Sequence, residues 1–378
     1  MRKVIGIYYN ATFEESSFET GCGGSDTWVI QIAKQFVREG FHTIVFCDSE
    51  SWKLTSNGVE YVPLNLFEYR CEYQHFDYFI ITRMFNEHLY YKLVECGCKN
   101  IYIQSHDPFI WDKNLYVDKY IYQPNKYPFL KKYIALTDFH KWELHEYNKI
   151  PYDMIEVIGN GIDSDVFDFV DKEPMEKDNN ILFTSVYSRG GDILVNHVLP
   201  LVKKEIPECR VHLCGYVQNF PEDVRNNPDV DILGMLSKED YYREFRKHKV
   251  WFLPCTVPED FGLCACEAAM SLCDIVSTFE HGMGDVCYPF VNLAMDNRFK
   301  TIQNGEYHRS QYQLDMSKED FDRVCQDAAE RIIYSMKHYY EPAGIVLRQS
   351  FKNFILGTHN WKNVVEKWKN LFAKSGQS

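Results

Sequence analysis

The chain has 378 residues, 45% of them hydrophobic and 16% aromatic, and a formal net charge of −13. That length exceeds the roughly 100–200 residues of one domain, so two domains are expected, and the apolar content is ample for real cores and excludes disorder. The acidic balance argues against a nucleic-acid binder, which carries a basic surface, yet it leaves room for a small anionic ligand held by N–H groups and one or two cations.

Taken in order, Val4-Ile5-Gly6-Ile7-Tyr8-Tyr9 is too short for a signal-peptide core and reads as the first strand. A polar loop ends in Gly21-Cys22-Gly23-Gly24-Ser25, where backbone without side chains can approach a phosphate. Trp28, Val29, Ile32, Ala33, Phe36 and Val37 then recur at helical spacing, and Gly40 ends the run. Strand-like runs follow at Thr43–Cys47, Val59–Leu64, Tyr78–Thr82, Asn100–Gln104 and Tyr133–Leu136. Strands separated by helical stretches imply a parallel sheet covered on both faces. Near residues 155–180 the pattern changes: Gly159-Asn160-Gly161-Ile162-Asp163 leads into the charged stretch Asp168–Asn180, which reads as the crossing between domains 1–168 and 175–350.

The second half repeats the alternation. Ile181–Val186 reads as a strand, Ser188-Arg189-Gly190-Gly191 as a turn and Ile193–Lys204 as a helix containing Pro200. The strand Arg210–Cys214 with Gly215 and the strand-turn Val230–Met235 follow, and Ser237 with Asp240 opens another helix in capping-box style. The apolar run Val250–Pro254 is a short buried strand, and from Lys318 the chain is helical, ending near Trp361–Phe372. No stretch of ~18 apolar residues exists, so no membrane span is expected.

The thirteen cysteines do not form a disulfide framework, and several lie in or beside strands, such as Cys47, Cys209 and Cys214. Cys96-Gly97-Cys98 and Cys264-Ala265-Cys266 lack the C-x2-C repeats of a structural zinc site, so no metal is expected. A reduced, cytoplasmic setting fits best.

Residues 259–267 read EDFGLCACE, two glutamates separated by seven residues. The preceding strand, the turn at Gly262 and the helix formers that follow make a geometry that holds an anion: the N–H groups of Phe261, Gly262 and Leu263 would point at it, with the helix dipole behind them. Such a turn suits a nucleoside diphosphate, and the flanking carboxylates suit sugar hydroxyls.

The segment resembles the E-x7-E motif of retaining glycosyltransferases of the GT-B fold, most closely family 4, and Asn160-Gly161-Ile162-Asp163 with Phe167 resembles that family's NGID…F signature. The resemblance implies two Rossmann-like doubly wound domains facing a cleft, with a last helix, about 355–378, crossing back to the first domain. It places Glu267 on the nucleotide ribose and Glu259 by the donor sugar. Arg189 falls on the diphosphate, and Gly23 and Gly24 lie where backbone approaches it. His106, in Gln104-Ser105-His106-Asp107-Pro108, would face the donor sugar, and His281-Gly282-Met283-Gly284-Asp285 resembles a further glycine turn with an acid. Gly215, Tyr216 and the Met235-Leu236 turn end strands toward the expected cleft and would recognise the base.

Leu272 and Asp274 stand where the family has Gly and Pro, and no cation upstream of Arg189 is evident. Asp163-Ser164-Asp165, Asp229-Val230-Asp231 and Asp320-Phe321-Asp322 read as structural rather than as metal-binding Asp-x-Asp motifs. The expected activity is metal-independent, cofactor-free transfer of a hexosyl group from a GDP- or UDP-sugar to a glycan or glycoconjugate. The alternatives are an epimerase or phosphorylase of the same fold, or a non-catalytic sugar-binding protein. Lys126, Lys131 and Lys132 form a small basic group that allows at most peripheral membrane contact.

Overall fold

The computed structural model describes residues 2–11, 21–110, 123–170, 172, 176–215, 217–254, 259–279, 281–288, 290 and 317–375. They fall into two compact units. One holds the opening strand, Cys22–Gly161 and His359–Ser378; the other holds Ile162–Thr358.

The first unit carries β1 (Val4–Tyr8), β2 (His42–Cys47), β3 (Lys53–Leu54), β4 (Glu60–Pro63), β5 (Tyr78–Thr82), β6 (Ile101–Gln104), β7 (Leu130–Ala135) and β8 (Ile155–Val157). They pair in the order β3-β4-β2-β1-β5-β6-β7-β8, parallel throughout except for the antiparallel β3–β4 edge. Central strands are buried from end to end, as in Tyr78–Thr82, because both sheet faces are covered. The terminal helix Trp361–Ser375 packs into this core: Trp368 lies 6.4 Å from Trp28 between ring centroids, and Phe372 stacks on Tyr78 at 4.2 Å. Gly161 makes that docking possible, since a Cβ there would sit 2.3 Å from the Trp361 ring.

The second unit carries β9 (Asp178–Phe183), β10 (Val211–Cys214), β11 (Val230–Gly234), β12 (His248–Leu253) and β13 (Asp274–Ser277), all parallel, in the order β11-β10-β9-β12-β13. Both sheets are therefore doubly wound. Strand order reverses between β1 and β5 in one and between β9 and β12 in the other, and the carboxyl ends of those strands are where open α/β sheets bind ligands.

Local structure departs from the sequence reading in four places. Residues 162–168 group with the second unit, because the helix Ser164–Val170 packs on the helix Lys238–Lys247, with Phe167 4.0 Å from Tyr242 between centroids. The expected helix around Pro200 contains a π turn, Leu194–Val198. Proline lacks an N–H and clashes with the carbonyl four residues back, and a π turn absorbs both defects. The glycine turn expected at 281–285 is the start of a short helix, His281–Cys287; Gly284 is needed there because a Cβ would lie 2.4 Å from the Phe279 carbonyl oxygen.

The fourth departure is at Leu272, which has φ +58, the left-handed conformation that glycine takes freely. The backbone is thus the one a glycine would provide, held by a leucine whose carbonyl accepts a 2.6 Å hydrogen bond from the Tyr339 hydroxyl. Leu272→Gly is expected to raise stability by about 1 kcal/mol, the cost of left-handed backbone for a residue with a Cβ. A lower midpoint in thermal unfolding would show that the half-buried side chain contributes more than the backbone strain costs.

Candidate functional site

In the second unit the candidate residues converge at the β9/β12 switch point. Beyond β9, the turn Tyr187–Arg189 presents Arg189, whose Nη1 donates to Glu259 Oε1 at 2.5 Å; Glu259 lies beyond β12. Gly190 has φ +109, and a Cβ there would lie 2.2 Å from Pro254, so the backbone of this turn fits closely against the end of β12. Burial raises the Glu259 carboxyl above its usual range, with the Arg189 charge opposing and Asp260 reinforcing the shift.

The helix Leu263–Met270 starts from Gly262 in left-handed conformation, φ +81, an N-cap residue with no side chain to bond the first N–H groups. The first N–H groups of a helix lack intrahelical acceptors, so an uncapped start is an anion site in waiting. Gly262 cannot be replaced at low cost: besides its φ, a Cβ would lie 2.6 Å from Met283 of the His281–Cys287 helix, whose backbone N–H bonds the Glu259 carbonyl at 3.1 Å.

Glu267, one turn further, is almost fully buried. Its Oε1 accepts from Lys238 Nζ at 3.2 Å and from the Tyr242 hydroxyl at 3.3 Å. Lys238 is a second cation of this site that the sequence did not reveal. It opens the helix Lys238–Lys247, whose Ser237 cap accepts from the Asp240 N–H, so the expected capping box is what aims it. Gly215 and Leu236 follow β10 and β11 at the same end of the sheet, whereas Tyr216 lies outside the described residues.

In the first unit, Gly23 caps the helix Gly24–Arg38 with an ordinary extended φ of −74, so its backbone does not itself require glycine. Asp26 Oδ2 accepts from the Gly23 N–H at 2.8 Å, and its Oδ1 accepts from the Tyr9 hydroxyl at 2.5 Å. His106 follows β6 and meets Trp28 edge-on at 5.2 Å between centroids. Its loop is pinned from the helix Asp138–Asn148: His140 Nε2 lies 3.1 Å from the Asp107 carbonyl, and Asn148 Nδ2 donates to the Pro108 carbonyl at 2.7 Å. His106 Nε2 is buried and has no hydrogen-bond partner among the described residues. Burial, with the nearby charges of Arg83 and His140, pushes the imidazole down to about 3.

A histidine at about 3 when folded and near 6.5 when unfolded binds its proton preferentially in the unfolded chain, so it weakens the fold progressively as pH falls below 6.5. His106→Asn is expected to flatten the stability profile between pH 6 and 4 by up to about 1.4 kcal/mol per pH unit. Parallel urea titrations of both proteins check this, and identical slopes refute it.

Arg83, just beyond β5, was also missed from sequence. It adopts φ +66, unusual for a residue with a side chain, and its Nε donates to Asp107 Oδ2 at 3.1 Å. It lines a cavity of about 810 Å³ at the β1/β5 switch point together with Tyr8, Asn10, Thr82, Glu87 and Tyr91. Strained backbone clusters at ligand sites, and only the folded chain reveals it here. Of the expected basic group, Lys126 pairs with Glu87 and Lys132 donates to the Asp153 carbonyl.

Two doubly wound units of this kind in one chain define the GT-B fold. No protein-family model matches the sequence, and no curated protein matches it. Solved structures do match, over the whole chain. A glycosyltransferase from Rickettsia africae is similar with a TM-score of 0.67 at 15% identity, over 99% of this chain and 98% of its own. The sucrose-phosphate synthase of Thermosynechococcus elongatus gives 0.65 at 12% identity, over 99% of each chain. Anabaena HepE, in complex with UDP and glucose, gives 0.64 at 13% identity, over 98% and 99%. At these identities the shared property is the fold. No helix among the described residues is long and apolar enough to cross a membrane.

Proposed function

We propose that this chain is a retaining glycosyltransferase that moves a sugar from a nucleoside-diphosphate sugar to a hydroxyl of a glycan or glycoconjugate, without a metal or cofactor in the chemical step. The observation that carries this reading is the Arg189–Glu259 pair at the switch point of the second sheet, beside the uncapped helix at Gly262. Similar structures bound to UDP, and to UDP with glucose, support a nucleotide-sugar donor. The described cysteines are not joined in disulfides, which fits a reducing, cytoplasmic setting.

In this reading the bond from the sugar's anomeric carbon to the diphosphate breaks as the acceptor oxygen bonds that carbon on the same face, and the departing diphosphate takes the acceptor's proton. The protein stabilises charge and orients partners. Arg189 and the N–H groups of Phe261, Gly262 and Leu263 hold the diphosphate. Glu267 holds the ribose, exchanging Lys238 and Tyr242 hydrogen bonds for sugar hydroxyls, and Glu259 holds the donor sugar. In the first unit, taken by itself, His106, neutral and with a buried Nε2 that has no partner among the described residues, is the proposed sugar-contact residue, and Gly23 and Gly24 are its proposed phosphate-binding backbone. Gly215, Tyr216 and Leu236 meet the base.

Thermal unfolding against UDP, GDP, ADP and their sugars, with a chelator present, tests the reading. A ligand at a hundred times its dissociation constant adds about 2.7 kcal/mol, and one nucleotide class should raise the midpoint. Glu267→Ala should abolish that rise and cut transfer by about 10- to 100-fold, the roughly 1.5–3 kcal/mol of a charged hydrogen bond. A protein indifferent to every nucleotide would sink the proposal.

A further inference from the structure

At the other end of the second sheet, a pair of side chains one helical turn apart meets a third from a distant strand. His212 lies on β10, His248 opens β12, and Glu244 lies one turn before His248 in the helix Lys238–Lys247. The three ligand-type atoms, His212 Nδ1, His248 Nε2 and Glu244 Oε1, are 2.9, 3.1 and 3.8 Å apart pairwise. His248 and Glu244 are buried, and the His212 side chain is largely so.

The proton positions follow from the partners. His248 Nδ1 is 2.7 Å from the Glu244 carbonyl oxygen, which only accepts, so that nitrogen carries the hydrogen and Nε2 presents its lone pair. His212 Nε2 faces Asp231 Oδ2 at 3.3 Å, and Asp231, its register partner on β11, is gripped by Arg210 through two 2.6 Å bonds. In the tautomer that donates from Nε2 to Asp231, which is the one a bound cation selects, the His212 Nδ1 lone pair turns inward. Lys247 takes the other Glu244 oxygen, Oε2, at 2.6 Å, leaving Oε1 for the cluster. Two imidazole lone pairs and a carboxylate oxygen thus converge on one point, and a cation is what such a point accommodates. With zinc bonds of about 2.0–2.2 Å to nitrogen and oxygen, tetrahedral ligands stand about 3.3 Å apart, which the observed separations bracket. Each histidine also has its second nitrogen anchored by an oxygen, the outer-shell arrangement that orients metal-ligating imidazoles.

We propose that His212 Nδ1, His248 Nε2 and Glu244 Oε1 form a binding site for a divalent zinc-class cation, with water completing the coordination. Its role is structural. His248 is the first residue of β12, whereas Glu259 lies beyond its last, Leu253, so the site sits at the opposite end of a strand that spans roughly 17 Å. The metal ties the carboxyl end of the Lys238–Lys247 helix to two strands, and the amino end of that helix carries the Lys238 and Tyr242 contacts to Glu267. Sequence spacing conceals the site, because His212 joins the Glu244/His248 pair only through the sheet.

The test uses the full chain, stripped with a chelator and dialysed, then titrated with zinc chloride and separately with cobalt chloride. The expected result is one equivalent of zinc, a raised unfolding midpoint, and a cobalt spectrum of nitrogen and oxygen ligands without thiolate charge-transfer bands. His212→Asn and Glu244→Gln, verified as folded by circular dichroism, should each weaken zinc binding at least tenfold and lose the midpoint shift. Absence of zinc binding by the unsubstituted chain overturns the proposal. So do equal binding by both variants and thiolate bands in the cobalt spectrum, which would assign the metal to cysteines.

Discussion

Arg189→Ala is expected to lower the transfer rate by about 10²–10³, or roughly 2.7–4 kcal/mol of barrier, the range for removing one preorganised donor from a developing negative charge. Two effects combine in this residue. Arg189 lies beyond the carboxyl end of β9, at the β9/β12 switch point, and its guanidinium partners the buried Glu259 at 2.5 Å. Without it, the carboxyl loses the positive charge that opposes its burial, its pKa rises further, and the fraction ionised at neutral pH falls. The variant should therefore gain activity as pH is raised, on top of its lower rate, whereas the unsubstituted chain changes less. Arg189→Lys should recover only part of the loss, because an ammonium cannot hold a phosphate bidentately and the carboxylate together. Pre-steady-state rates with a saturating donor, compared across pH, decide it; an alanine variant with an unchanged rate would remove Arg189 from the mechanism.

The second large effect is on stability. Asp274 and Arg348 form a buried pair: Nη1 donates to Oδ1 at 3.0 Å, the guanidinium carbon lies 3.7 Å above the Tyr339 ring, and Nη2 donates to the Tyr339 carbonyl. Burial raises the Asp274 carboxyl, and the Arg348 charge is the main force opposing it. Arg348→Ala strands that carboxylate, at an expected cost of about 3–5 kcal/mol and a midpoint lowered by roughly 6–20 °C. The Asp274 pKa in the folded variant exceeds its unfolded value near 3.9, so the folded form binds the proton more tightly and the deficit shrinks as pH falls toward 4. Combining Arg348→Ala with Asp274→Ala should cost less than the two single changes added, since no charge is then stranded. Strict additivity in chemical denaturation would mean that the pair is not coupled.

This pair also explains how the chain tolerates Leu272 and Asp274 where the resembled family has Gly and Pro. Leucine adopts the glycine-like backbone under the constraint of Tyr339, and the aspartate is neutralised by an arginine 74 residues later. Neither compensation is local, so the sequence showed the departures without their remedy.

What the sequence by itself determined is whatever depends on neighbours along the chain. Buried apolar runs such as Tyr78–Thr82 and Val250–Leu253 specified parallel strands because nothing in them offers a polar face to water. The Ser237–Asp240 box specified a helix start, and the Gly262 turn specified an uncapped helix end, because φ/ψ and the first orphan N–H groups are local properties. What only the tertiary structure decided depends on residues brought together from afar. Strand order, and so the two switch points, follows from which strands pair. Lys238 reaches Glu267 because a helix after β11 runs beside one after β12, and Arg83 acquires its strained backbone and cavity from β5 lying beside β1. His212 meets Glu244 and His248 only across the sheet. Through-space electrostatics and burial set these sites, and neither is a function of sequence distance.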